Sequence, residues 1–168
     1  MTGALRLRLV LTSALFVAAL LQSAVSARVH FLGGQANWLL TTALVGSLFC
    51  SVNGGAVLGL IAGITEASLA SPPHGGFGSI AVSWTIVCLV VGWLEEALFR
   101  DNVTLAAATS AAGTLLAGGL FFIGSPQPHP GHWAQMLAGS AVLDTIISVP
   151  VYLLIVRLVR HSWPGIQT

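Results

Sequence analysis

Charge is what this chain has least of. Only 7% of its 168 residues are Asp, Glu, Lys or Arg, while 55% are apolar. Soluble domains carry about a quarter charged residues. Six basic and five acidic groups cannot cover a water-facing surface, so the solvent for most of this chain is lipid. Lysine is absent, and all six basic residues are arginine. Cysteine is scarce too. Cys50 and Cys88 lie far apart in apolar runs with no CxxC spacing, which excludes a thiolate metal knuckle and reads as buried structural thiols. No loop is long enough to fold as a separate domain, and no internal repeat stands out.

Long apolar runs are what the chain has in abundance. Six spans are expected, at about 9–27, 35–52, 55–71, 77–99, 104–124 and 134–159, the second and third of them short. Asn53-Gly54-Gly55, Pro72-Pro73-His74-Gly75-Gly76, Asp101-Asn102 and the run from Pro126 to Gly131 punctuate them. The expected fold is an all-α membrane protein, one six-helix transmembrane domain over residues 1–168. Arg6 and Arg8 before the first span, with Val25-Ser26-Ala27 after it, also resemble a cleavable signal peptide. Five further spans make an uncleaved first helix the simpler account.

Arginine sets the orientation. With the N-terminus inside, Arg6, Arg8, Arg100, Arg157 and Arg160 are cytoplasmic and only Arg28 is outside. Both termini are therefore expected in the cytoplasm, with loops 28–34, 72–76 and 125–133 facing outward.

One motif suggests catalysis. Glu95-Glu96-Ala97-Leu98-Phe99-Arg100 matches the Glu-Glu-x-x-x-Arg signature of intramembrane metal-dependent proteases. That chemistry needs histidines beside the glutamates to hold a metal or polarise water. Here His30, His74, His129 and His132 fall in outward loops and His161 in the tail, and the accompanying Phe-x-x-x-His motif is missing. The better reading is an interfacial ion pair, Glu96 with Arg100 one turn on. His129 and His132 have H-x-x-H spacing but no carboxylate or thiol beside them, so a solvated loop is expected there. No catalytic residue, metal set or cofactor site is assigned.

Three other features draw attention. Gly55, Gly59, Gly63 and Ala67 recur every four residues along the third span, a small-residue face on which another helix can approach closely. Glu66 flanks that face and is expected to point inward, either as a functional acid or as a hydrogen-bonded structural one. Asp144 sits near the middle of the sixth span, with Ser140 and Ser148 one turn either side. This stripe could line a path or tie helices together. Tying is favoured, because no second central acid or base is evident to make a relay. Pro150 should bend the helix just beyond.

Taken in order, these segments resemble the MreD family of bacterial rod shape-determining membrane proteins. The resemblance covers nearly the whole chain. Ala36-Asn37-Trp38-Leu39-Leu40 is similar to the polar-aromatic start of the family's second helix. Gly54-Gly55 through Gly63 to Glu66 looks like its glycine-rich helix ending in an acid, where the family shows Asp. A short loop and Gly78 follow. Leu98-Phe99-Arg100-Asp101-Asn102 resembles the junction after the fourth helix, and Pro150 with Arg157 and Arg160 resembles the last helix and basic tail. The resemblance implies a bundle like the substrate-binding subunits of vitamin transporters. It implies a non-enzymatic scaffold in the bacterial inner membrane, binding the bitopic protein MreC within the elongation complex of MreB, RodA and a transpeptidase, and acting on peptidoglycan synthesis and cell shape. No nucleic-acid partner is expected. The rival reading is a solute-binding subunit of a vitamin-type transporter, with Trp84, Glu66 and loop 72–76 contributing to a cavity.

Overall fold

The computed structural model describes residues 3–69, 76–95 and 102–161. Helix α1 (Gly3–Val25) leads through a 3-10 turn (Ser26–Arg28) into a small hairpin, β1 (His30–Phe31) and β2 (Gly34–Gln35). Then follow α2 (Trp38–Ser47), α3 (Val52–Leu69), α4 (Gly76–Glu95), α5 (Val103–Gly124) and α6 (Pro130–His161).

Among the described residues, five of the six helices, α1 and α3 to α6, are long and apolar enough to cross a membrane. The second is not, and this corrects the expected span at 35–52. Its 10 residues cover only about 15 Å. Local chemistry explains the difference. Leu32 (φ 52°) and Gly33 (φ 80°) both take left-handed backbone, as a two-residue hairpin turn of the I′ kind requires. The strands pair antiparallel, His30 with Gln35 and Phe31 with Gly34, so the chain has doubled back before the helix begins. Asn37 then starts α2 as its N-cap, accepting a hydrogen bond from the Leu40 N–H at 3.1 Å. At the other end Leu48, Phe49 and Cys50 donate to Val45, Gly46 and Ser47, the tightened i→i−3 pattern that closes a helix.

The bundle is antiparallel. Trp38 meets Gln22 near one end of α2, while Gly46 lies against Leu11 near the other. Along α3 and α4, Gly55, Gly59 and Gly63 lie against Cys88, Trp84 and Ala81 in turn. Thr114 and Gly118 of α5 meet Asp144 and Leu137 of α6. The start of α1 and the end of α6 therefore share one end of the bundle.

The packing is that of a lipid-solvated body. Phe16, Ile123, Ile146 and Trp93 stand on the outside, each more than 60% exposed. Helix α2 is the opposite, with nine of its ten residues buried. It is the central post of the core, enclosed by the five longer helices. Leu44 on α2 fills the notch at Gly113 of α5, where an added Cβ would come within 2.7 Å of the leucine methyls.

Candidate functional site

A helix that starts inside a lipid-solvated bundle has a problem at its first turn. Its leading N–H groups have no partner within the helix, and lipid offers them none. Here neighbouring side chains supply the acceptors. Asp144, fully buried near the middle of α6, accepts the Asn37 N–H through Oδ1 at 2.7 Å. Gln22 of α1 accepts the Trp38 N–H through Oε1 at 2.8 Å. The Asn37 side chain takes the Leu40 N–H. A carboxyl at this position also faces the positive end of the α2 dipole.

The acceptors are themselves held. Thr114 of α5 donates its hydroxyl to Asp144 Oδ2 at 2.8 Å. The Gln22 amide donates to Glu66 Oε1 on α3 at 3.2 Å. One level up, Ser140 accepts the Gln35 N–H at 3.1 Å and fastens β2 to α6. The network thus runs from Glu66 on α3 through Gln22 on α1 and the start of α2 to Asp144 on α6 and Thr114 on α5. Among the described residues, Glu66 Oε2 and Trp38 Nε1 are enclosed without a hydrogen-bond partner.

The expected polar stripe on α6 divides. Ser140 and Asp144 reach across to the hairpin and to α2. Ser148, also fully buried, turns its hydroxyl back to the Thr145 carbonyl of its own helix at 2.7 Å. The stripe therefore does not run on as a chain of hydrogen bonds. Glu66 belongs to the same network as Asp144, through Gln22 and the Asn37-Trp38 backbone.

The glycine face of α3 meets α4. A Cβ on Gly55 would lie 2.5 Å from the Cys88 carbonyl oxygen, and one on Gly59 the same distance from that of Trp84. On Gly63 it would lie 2.8 Å from the Ala81 Cα. These are backbone atoms that cannot rotate away. Trp84, named above as a candidate cavity residue, is 5% exposed and is part of this seam. A second close approach joins the hairpin to α6. A Cβ on Gly139 would overlap the Phe31 carbonyl, and one on Gly34 would overlap the Met136 carbonyl.

Glu95 is the last described residue of α4, and Glu96 and Arg100 lie outside the described residues. So do residues 72–75 of the loop proposed for the rival reading. His129 and His132 are exposed where α6 begins. No group of three or more His, Cys, Asp or Glu side chains able to hold a metal occurs among the described residues. Cys50 and Cys88 form no disulfide.

Gln22, Thr114 and the capping role of Asn37 were not singled out from the sequence. Asn37 carried a signal, an N-cap residue directly before a leucine-rich run. Gln22 carried a fainter one, as a lone amide near the end of an otherwise apolar span. The chain matches no family model, no curated protein and no solved structure.

Proposed function

We propose that this protein is a non-enzymatic scaffold of the bacterial cytoplasmic membrane, of the MreD kind. It holds an MreC-type single-span partner within the elongation complex of MreB, RodA and a transpeptidase. Both termini lie on the cytoplasmic side, as the arginine asymmetry indicates.

The observation that carries the reading is what the two acids within the spans do. Asp144 accepts one backbone N–H and one hydroxyl, and Glu66 accepts an amide that in turn holds the start of α2. Such groups fix helices in place. Intramembrane ionisable residues mark reactive or transport sites by default, so their engagement with a helix start favours a structural task. The order of segments along the chain supplies the family resemblance, from the Asn37-Trp38 start through the glycine helix ending at Glu66 to the Pro150 helix with its basic tail.

The test is co-expression with a tagged MreC-type partner, followed by detergent extraction and affinity purification. Stoichiometric recovery of the chain supports the scaffold. Recovery of the chain alone, carrying a tightly bound small solute, supports the transporter subunit and overturns the scaffold.

A further inference from the structure

Asp144 is a carboxyl with no cationic side chain beside it among the described residues. Its hydrogen-bond partners, the Asn37 N–H and the Thr114 hydroxyl, are neutral. Helices α2 to α5 contain no Arg, Lys or His. On α6 the nearest basic positions are His132 and Arg157, each about 18–20 Å away along the helix. Arg28 is exposed. A formal charge enclosed among helices in lipid is costly unless something matches it.

Two hydroxyls near this carboxyl lack partners of their own. Thr41 of α2 is fully buried. Its Oγ1 lies beside the Asp144 carboxyl yet completes no hydrogen bond among the described residues. Ser110 of α5 is fully buried as well, and its Oγ is also unmet among them. It stands one turn from Thr114 on the same face of α5. Helix α5 runs antiparallel to α2 and α6. Thr41, one turn past Asn37, and Ser110, one turn before Thr114, are therefore displaced from the Asp144 level in the same direction. Unmet hydroxyls are rare in a core and call for an explanation.

We infer that Asp144, Thr114, Thr41 and Ser110 form a site for one sodium ion, held by the carboxylate and the three hydroxyl oxygens. The start of α2 takes Asp144 Oδ1, so Oδ2 is the oxygen the ion meets. The donors choose the ion. All are hard oxygens, with no imidazole or thiolate for a transition metal. One carboxylate balances one positive charge, and a divalent ion would leave the second charge buried without a match. Four donors suit the smaller of the two common alkali ions. Glu66 adds to the negative field, because its carboxyl is close enough to act on Asp144 through space. A proton on Asp144 would also remove the charge. It needs a single acceptor, however, and leaves at least one of the two hydroxyls unmet, whereas a cation draws on the lone pairs of all three.

The inference does not depend on the scaffold reading. Its test is equilibrium binding of radioactive sodium to the full chain in detergent, with choline chloride holding the ionic strength constant, and thermal unfolding of the same samples. The unaltered protein should retain one sodium ion per chain, and sodium should raise its unfolding temperature as mass action requires. Asp144→Asn should lose the ion. Thr41→Val and Ser110→Ala remove hydroxyls that have no partner, so in choline chloride they should unfold no earlier than the unaltered protein. Each should nonetheless weaken sodium binding by about tenfold. Ser68→Ala, at an exposed hydroxyl bonded within α3, should change neither. No retained sodium and no rise in unfolding temperature overturns the site; stability that then follows pH alone assigns a proton to Asp144 instead. Undiminished sodium binding in Thr41→Val and Ser110→Ala overturns the placement, and that result stands even if Asp144→Asn fails to fold. Equal competition by potassium overturns the choice of ion.

Discussion

The α3–α4 seam and the enclosed start of α2 meet one requirement by opposite chemistry. Both must bring backbones together where lipid, not water, surrounds the bundle. At the seam the answer is dry. Gly55, Gly59 and Gly63 remove side chains so that two complete helices, each with its own hydrogen bonds closed, approach to contact. At α2 the answer is polar. The helix begins inside the bundle, so its first N–H groups need acceptors, and Asp144, Gln22 and Asn37 supply them. Uninterrupted helices can rely on shape alone. An interrupted one has to be completed by its neighbours.

Substitutions can set the two regions against each other. The largest effect is expected from Gly59→Leu, where even the first added carbon meets the Trp84 carbonyl at 2.5 Å. Overpacking a contact that cannot yield costs about 3 kcal/mol or more, a large part of a typical total of roughly 5–15 kcal/mol. Detergent-solubilised protein should be lost by size-exclusion chromatography. Gly119→Leu is the control, because nothing lies within 4 Å of that position, and it should elute as the unaltered protein does.

Asp144→Leu comes next. It leaves the Asn37 N–H and the Thr114 hydroxyl without their acceptor, at about 1–3 kcal/mol for each unsatisfied group. Asp144→Asn keeps a carbonyl for Asn37 and an amide for Thr114, and should retain most of the stability. Thermal unfolding in detergent separates the two. Equal losses would show that the carboxylate's hydrogen bonds are not what counts.

A smaller effect is expected from Gly139→Ala, which forces the Phe31 carbonyl away and loosens the hairpin while the long helices stay packed. The loss should be about 1–3 kcal/mol, with faster proteolysis between residues 28 and 36 as its local sign. Smallest is Ser148→Ala. Among the described residues its hydroxyl bonds to its own helix alone, so despite full burial the change should cost about 1 kcal/mol or less. A loss matching that of Asp144→Leu would mean that the stripe acts as a unit.

These two regions were not equally legible in the sequence. The glycine seam shows itself because its residues recur at the helical period within one segment, so periodicity alone marks the face. The cap on α2 is assembled from Gln22, Asn37, Thr114 and Asp144, which lie on separate elements and share no period. Asp144 stood out as an acid in an apolar span, but its partner is a backbone N–H, and every residue except proline carries one. Expecting a full second span failed for a related reason. Residues 35–52 are apolar enough to cross, and composition does not record that Leu32 and Gly33 turn the chain back or that Asn37 delays the helix. The five long helices were each legible from the length of their apolar runs, with ends displaced by up to six residues, the most at the start of α1.

Backbone hydrogen exchange at Asn37 and Trp38 tests the central claim most directly, that Asp144 and Gln22 complete a helix begun inside the bundle. In the unaltered protein both amides should be as slow as those in the middle of α3. In Asp144→Leu, exchange at Asn37 should accelerate by at least tenfold while the α3–α4 seam keeps its protection. Fast exchange at Asn37 and Trp38 in the unaltered protein, or equal slowing in both, would contradict the account.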